Sequence, residues 1–115
     1  MKRLGMTIRV RPGKLDQYKE LHAAAWPDVL KKLSECCIRN YSIYQGEDTA
    51  GATILFSYFE YHGSDFEADM AKMAADETTQ RWWKACEVCV APLRGKPVGQ
   101  AGEWWHMLEE VFHHE

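Results

Sequence analysis

The sequence predicts an α+β fold, and three observations carry that reading. Short stretches alternate apolar and polar residues with the two-residue period of strands. Two longer stretches repeat their apolar residues at helical spacing. Breaks rich in Gly and Pro separate them in the order strand, helix, strand, strand, helix, strand. With 115 residues, 46% of them apolar, residues 1–115 are expected to form one domain with a substantial core.

Residues 3–11, RLGMTIRVR, are the first predicted strand, stopped by Pro12-Gly13. From Lys14 to about Cys36, the residues Leu15, Tyr18, His22, Ala25, Val29 and Leu33 follow a helical period. Pro27 lies inside this run and offers no N–H to the Ala23 carbonyl, which predicts a kink just past His22. Residues 38–45 and 52–61 read as the two strands of a hairpin, with a turn opened by Gly46-Glu47-Asp48. The second of these strands is apolar on both faces, with Leu55 and Phe59 on one and Ile54 and Phe56 on the other. That is the pattern of a strand covered on both sides. Ser64 with Glu67 gives a capping-box signal for a second helix, which runs to about Val90 with a break near Asp76. Residues 91–102 hold two Pro and three Gly and read as a loop. The last expected strand is EWWHMLEEVFHH, residues 103–114.

Right-handed crossovers fold this order into the ferredoxin-like plait, a four-stranded antiparallel sheet with both helices on one face. The other face stays bare, so a sheet-to-sheet homodimer, a dimeric α/β barrel, is expected.

The net charge of −3 and the lack of a basic run speak against a nucleic-acid partner. No apolar run is long enough for a membrane span, and MKRLGMTIRVRPG lacks an apolar signal core, so the cytoplasm is the expected location. Cys36 and Cys37 are adjacent and Cys86 and Cys89 are three apart, neither of which makes paired zinc knuckles; packing roles are expected and no metal.

Tyr18, His22 and Trp26 at i, i+4 and i+8 stack along one side of the first predicted helix. A histidine on its sheet-facing side stands where Leu or Val would be usual. Taken alone it reads as a core histidine satisfied by a hydrogen bond. Its company points to chemistry: Tyr41 on the second strand and Arg81-Trp82-Trp83 on the second helix can face the same region. The chain has five Trp, four of them in the pairs Trp82-Trp83 and Trp104-Trp105. Flat aromatic faces pack well against the C–H groups of sugar rings. A histidine gives and takes protons near neutral pH.

Four segments, Tyr18-x3-His22-x3-Trp26-Pro27, Asn40-Tyr41-Ser42-Ile43-Tyr44, Arg81-Trp82-Trp83-Lys84 and Glu110-Val111-Phe112-His113, occur in one order over almost the whole chain. In this the chain resembles the L-rhamnose mutarotase family. The resemblance implies a dimeric isomerase that exchanges the α and β anomers of L-rhamnose with no cofactor. It implies His22 as the proton donor and Tyr18, Tyr41, Trp82 and Trp83 as substrate-binding residues. The chain departs from the family pattern at Ala23-Ala24 and at PLRGKPVGQAGEWWH, residues 92–106, which keeps L-fucose as a competing sugar. Two readings from other classes use the same fold: a haem-binding monooxygenase with His22 or His62 on iron, and a non-catalytic dimeric binding module whose rings pack solid.

Overall fold

The computed structural model describes residues 1–93 and 104–115. Its elements run β1 (Lys2–Val10), α1 (Leu15–Ala23), α2 (Pro27–Glu35), β2 (Ile38–Glu47), β3 (Thr53–Tyr61), α3 (Phe66–Ala75), α4 (Glu77–Glu87), β4 (Val90–Ala91) and β5 (His106–Leu108). The sheet order is β2-β3-β1-β4, and β5 pairs with β1 as well. All pairings are antiparallel. This is the ferredoxin-like plait, with the fourth strand position shared by two short pieces. β4 pairs with Arg9 and Val10, and β5 with Gly5 to Thr7 of the same strand.

Each expected helix is two. At the first, Pro27 starts a new helix instead of kinking an old one. Trp26, the residue before it, is held extended at ψ 128°, and Pro27 takes the first helical turn, where its missing N–H costs nothing. The expected break at Asp76 is present: Asp76 ends α3 and caps α4, its carboxylate accepting from the Thr79 N–H at 3.0 Å and the Thr79 hydroxyl at 2.8 Å. The α3 cap is Asp65, not Ser64; its carboxylate accepts from the Ala68 N–H at 3.1 Å. The expected strand over 103–114 shrinks to His106–Leu108, and Glu109–Glu115 carry no strand. The expected loop over 91–102 lies largely outside the described residues, as does Glu103.

Register sets the two faces. Leu4, Met6 and Ile8 pair with Phe59, Ser57 and Leu55, and all six are buried on the side the helices cover. Two clusters result. One gathers Leu4, Met6, Cys36, Ile38, Phe59, Tyr61 and Met73; the other gathers Ile8, Val10, Tyr18, Leu55, Cys89 and Val90. Cys36 and Cys89 thus take the packing roles expected of them. Between the clusters lies Ser57, whose buried hydroxyl has no hydrogen-bond partner among the described residues. On the helix-free face Phe56 is 41% exposed and Tyr44 60% exposed, stacked at 6.5 Å between ring centroids.

β2 contains the feature that matters most for the site. Its pairing with β3 slips between Arg39 and Ser42, a β-bulge, with Asn40 at φ 51° in the left-handed region that Asn tolerates best after Gly. Ile38 and Ile43 both pair with helix-side residues, Tyr61 and Ser57. An unbroken alternation from Ile38 would send Tyr41 to the helix-free face. The extra residue reverses the parity and brings Tyr41 in phase with Ile43, under the helices.

Candidate active site

Between the sheet and the helices lies a cavity of about 440 Å³. Tyr41, Trp82, Trp83, Trp105, Thr79 and Met107 are among the residues that line it, against a floor that includes Met6 and Phe59. Tyr41 comes from the bulge in β2, Trp82 and Trp83 from α4, and Met107 from β5. Trp82 is buried and Trp83 half-buried, about 100° apart around the helix, and both reach the cavity.

His22 and Tyr18 stand beside this cavity, not in its lining. The His22 ring stacks on the Tyr18 ring at 4.0 Å and meets the edge of Trp82 at 5.0 Å. Trp26 meets Trp82 from another side at 5.3 Å. Trp26 is not on the first helix, as the spacing suggested, but reaches the same row of rings from the start of α2. Trp82 therefore joins the two groups: it touches the imidazole and walls the cavity. Arg81 is exposed and lines a separate cleft with Trp26, Asp28 and Thr78.

The protonation geometry of His22 follows from its neighbour. Nδ1 lies 2.9 Å from the Tyr18 carbonyl oxygen. A carbonyl only accepts, so Nδ1 carries the hydrogen and donates. The second nitrogen, Nε2, is left for any proton exchange. Burial lowers the His22 pKa below the ordinary value of 6.5, opposed by the bond to Tyr18, which favours the charged ring. Burial also raises the Tyr18 phenol strongly and pushes the Tyr41 phenol up to about 12. Tyr41 lines the cavity and keeps 40% of its surface exposed. At neutral pH the three groups are predominantly uncharged, which suits a neutral, hydroxyl-rich ligand.

The rings are not packed solid, since Tyr41, Trp82 and Trp83 front an open volume. Thr79, Trp105 and Met107 line the cavity although the sequence reading did not name them as site residues. Thr79 is buried at 2% exposure and bound to Asp76. Trp105 and Met107 enter from the fourth strand position. The second Trp pair was the available signal for Trp105; nothing in the spacing marks Thr79. Among the described residues no group of three or more His, Cys, Asp or Glu is gathered for a metal ion, and no helix is long and apolar enough to cross a membrane.

The fold and the pocket define a class: a small ferredoxin-like domain with an uncharged, aromatic-walled site for a neutral small molecule. Comparison with known proteins narrows it. The family model for L-rhamnose mutarotase matches residues 3–114. An L-rhamnose mutarotase of Oceanobacillus iheyensis is 36% identical over 84 residues, 73% of this chain and 75% of that one. One from Bacillus subtilis is 36% identical over 93 residues, 81% of this chain and 80% of its own. The crystal structure of an L-rhamnose mutarotase from Formosa agariphila superposes with a TM-score of 0.72 at 25% identity, covering all of both chains. The chain belongs to the L-rhamnose mutarotase family. It is accordingly an isomerase of the mutarotase type.

Proposed function

We propose that this protein, acting as one domain over residues 1–115, exchanges the α and β anomers of L-rhamnose, with His22 as the acid–base group. The observation that carries the assignment is the commitment of His22 Nδ1 to the Tyr18 carbonyl, 2.9 Å away, which leaves Nε2 for the sugar. Nε2 delivers a proton to the ring oxygen while the anomeric hydroxyl passes its own to solvent water, and reclosure reverses both transfers. The bond between the ring oxygen and C1 breaks, leaving an open-chain aldehyde. Rotation about C1–C2 and reclosure on the other face of the carbonyl give the second anomer. Tyr18 orients the imidazole and binds a hydroxyl, and the Tyr41 hydroxyl holds another. Trp82 and Trp83 take the C–H faces of the ring. Saturation-transfer NMR on a panel of free 6-deoxyhexoses tests the substrate. L-Rhamnose is expected to show the largest enzyme-dependent exchange, and a larger effect with L-fucose would move the assignment to that sugar.

The lowered His22 pKa predicts a pH profile. As the donor, the imidazole must be protonated, so the enzyme-dependent rate rises as pH falls and levels off below a midpoint under 6.5. Stability moves the other way. The unfolded chain binds this proton more readily than the folded one, so His22's stabilising contribution is fully present above 6.5 and is lost as pH falls toward its lowered folded value. Exchange rates corrected for the uncatalysed reaction check this, and a profile flat between pH 5 and 7 rules out His22 as the titrating donor.

The protein works as a homodimer in the cytoplasm. The bare aromatic face of the sheet supports the dimer. Four free cysteines, two of them buried, support a reducing compartment. Sedimentation at micromolar concentration is expected to give the mass of two chains; a stable monomer would overturn the dimer.

A further inference from the structure

We infer that Glu60 is a positioning residue for Tyr41: through Asn40 it holds the bulge that turns the Tyr41 ring under the helices. This rests on the sugar-binding role proposed above for Tyr41 and adds what fixes that ring in place. In the β2–β3 register Arg39 pairs with Glu60 and Ser42 with Tyr58, so Asn40 and Tyr41 together stand opposite Phe59. The surplus residue disrupts the ladder there, and contacts beyond the ladder must hold it. β3 supplies two, from adjacent residues on opposite faces. On the helix side the Tyr41 and Phe59 ring centroids lie 5.4 Å apart. On the other side the Asn40 side-chain N–H donates to a Glu60 carboxylate oxygen at 2.9 Å.

Glu60 is well placed as that acceptor. Its carboxylate also accepts from the Tyr58 hydroxyl at 2.9 Å and from His62 Nε2 at 2.8 Å, and its side chain is only 18% exposed. The bonds from His62, Asn40 and Tyr58 hold its pKa at about 2, well below the ordinary carboxylate range, so the acceptor stays charged at working pH. A charged acceptor makes the stronger hydrogen bond. Asn40 needs it, since its φ of 51° lies in a region that is costly for residues other than Gly. Cys37 is left-handed as well, at φ 65°, and its carbonyl accepts from the His62 N–H at 2.8 Å. The kinked stretch from Cys37 to Asn40 is thus tied at both ends to the close of β3. Without the Asn40 tie, the regular ladder competes, and it sends Tyr41 to the helix-free face. Glu60 does not line the cavity, so it acts through Asn40 and not on the sugar.

Three full-length variants test this. Asn40→Gly keeps the left-handed backbone at ease, loses only the side-chain bond and leaves Glu60 with Tyr58 and His62. Glu60→Ala removes the acceptor, and Glu60→Gln keeps an oxygen for Asn40. Circular dichroism checks that each variant is folded. Asn40→Gly and Glu60→Ala should raise the KM for L-rhamnose in anomer exchange about five- to tenfold, the scale of one partly exposed hydrogen bond, with kcat within about twofold. Glu60→Gln should stay near wild type. In a Tyr41→Phe background, Asn40→Gly should add nothing to KM, whereas a general loosening of the sheet would add the same factor again. NMR signals of the isotope-labelled Tyr41 ring report the clamp without any activity. They should move in Asn40→Gly and Glu60→Ala and return in Glu60→Gln. Ring signals unmoved in Asn40→Gly, or KM changes of equal size with and without the Tyr41 hydroxyl, would overturn the clamp. A wild-type KM in Tyr41→Phe alone would strike the sugar role of Tyr41 instead, and the ring signals would then decide the clamp.

Discussion

Replacing His22 with alanine should lower the enzyme-dependent rate of anomer exchange by about 10²- to 10⁴-fold, the usual contribution of a positioned acid–base group. Sugar affinity should change much less, because proton transfer is felt in the transition state more than in the bound ground state. The fold should survive. His22 is half-buried, and what it gives up is a bond to the Tyr18 carbonyl and two ring contacts. The loss should be about 1–2 kcal/mol, within the common range for single substitutions. His22→Gln sharpens the experiment, since it keeps polar bulk without a titrating nitrogen and should be as inactive as alanine. A histidine that only filled space would behave in the opposite way, with melting temperature falling and activity per folded molecule near normal. Full exchange activity in folded His22→Ala would end the catalytic assignment.

Trp82→Ala should damage stability and binding together. Its indole is 8% exposed, meets His22 and Trp26 edge-on, and forms part of the cavity wall. Cutting so large a buried ring to a methyl group typically costs about 3–5 kcal/mol. That is a large share of the roughly 5–15 kcal/mol that holds a domain folded, so the variant is best studied at low temperature. Sugar affinity should also weaken, by about 1–3 kcal/mol for one lost aromatic platform, or about 5- to 150-fold in KM. Trp83, half-buried on the neighbouring side of α4, should lose less stability on the same change. Trp82→Phe should recover most of the stability and part of the affinity. Wild-type melting and wild-type KM in Trp82→Ala would remove this ring from the site.

The element types and their order were legible in the sequence because period-two and helical patterns are local. The ferredoxin-like arrangement followed from that order once right-handed crossovers were required. Leu55 and Phe59 went to the core face, and the break at Asp76 was readable from a residue that caps better than it continues a helix. The loss of local signal begins where two outcomes share one pattern. Pro27 fits either a kink or a first helical turn, and packing above the sheet chose the latter. Val90–Ala91 is too short to show a period, and β5 shows its three residues as strand only because β1 pairs with them. The family resemblance singled out His22, Tyr18, Tyr41, Trp82 and Trp83, yet spacing could not show how they divide. Tertiary structure put three of them on the cavity and set His22 on Tyr18, against the edge of Trp82. The orientation of Tyr41 depended on one extra residue near Asn40, because a bulge is defined by the register of the neighbouring strand. A chain can state which side chains it owns and where its periods run. Which of them share a wall is decided by pairing and burial between segments far apart in sequence.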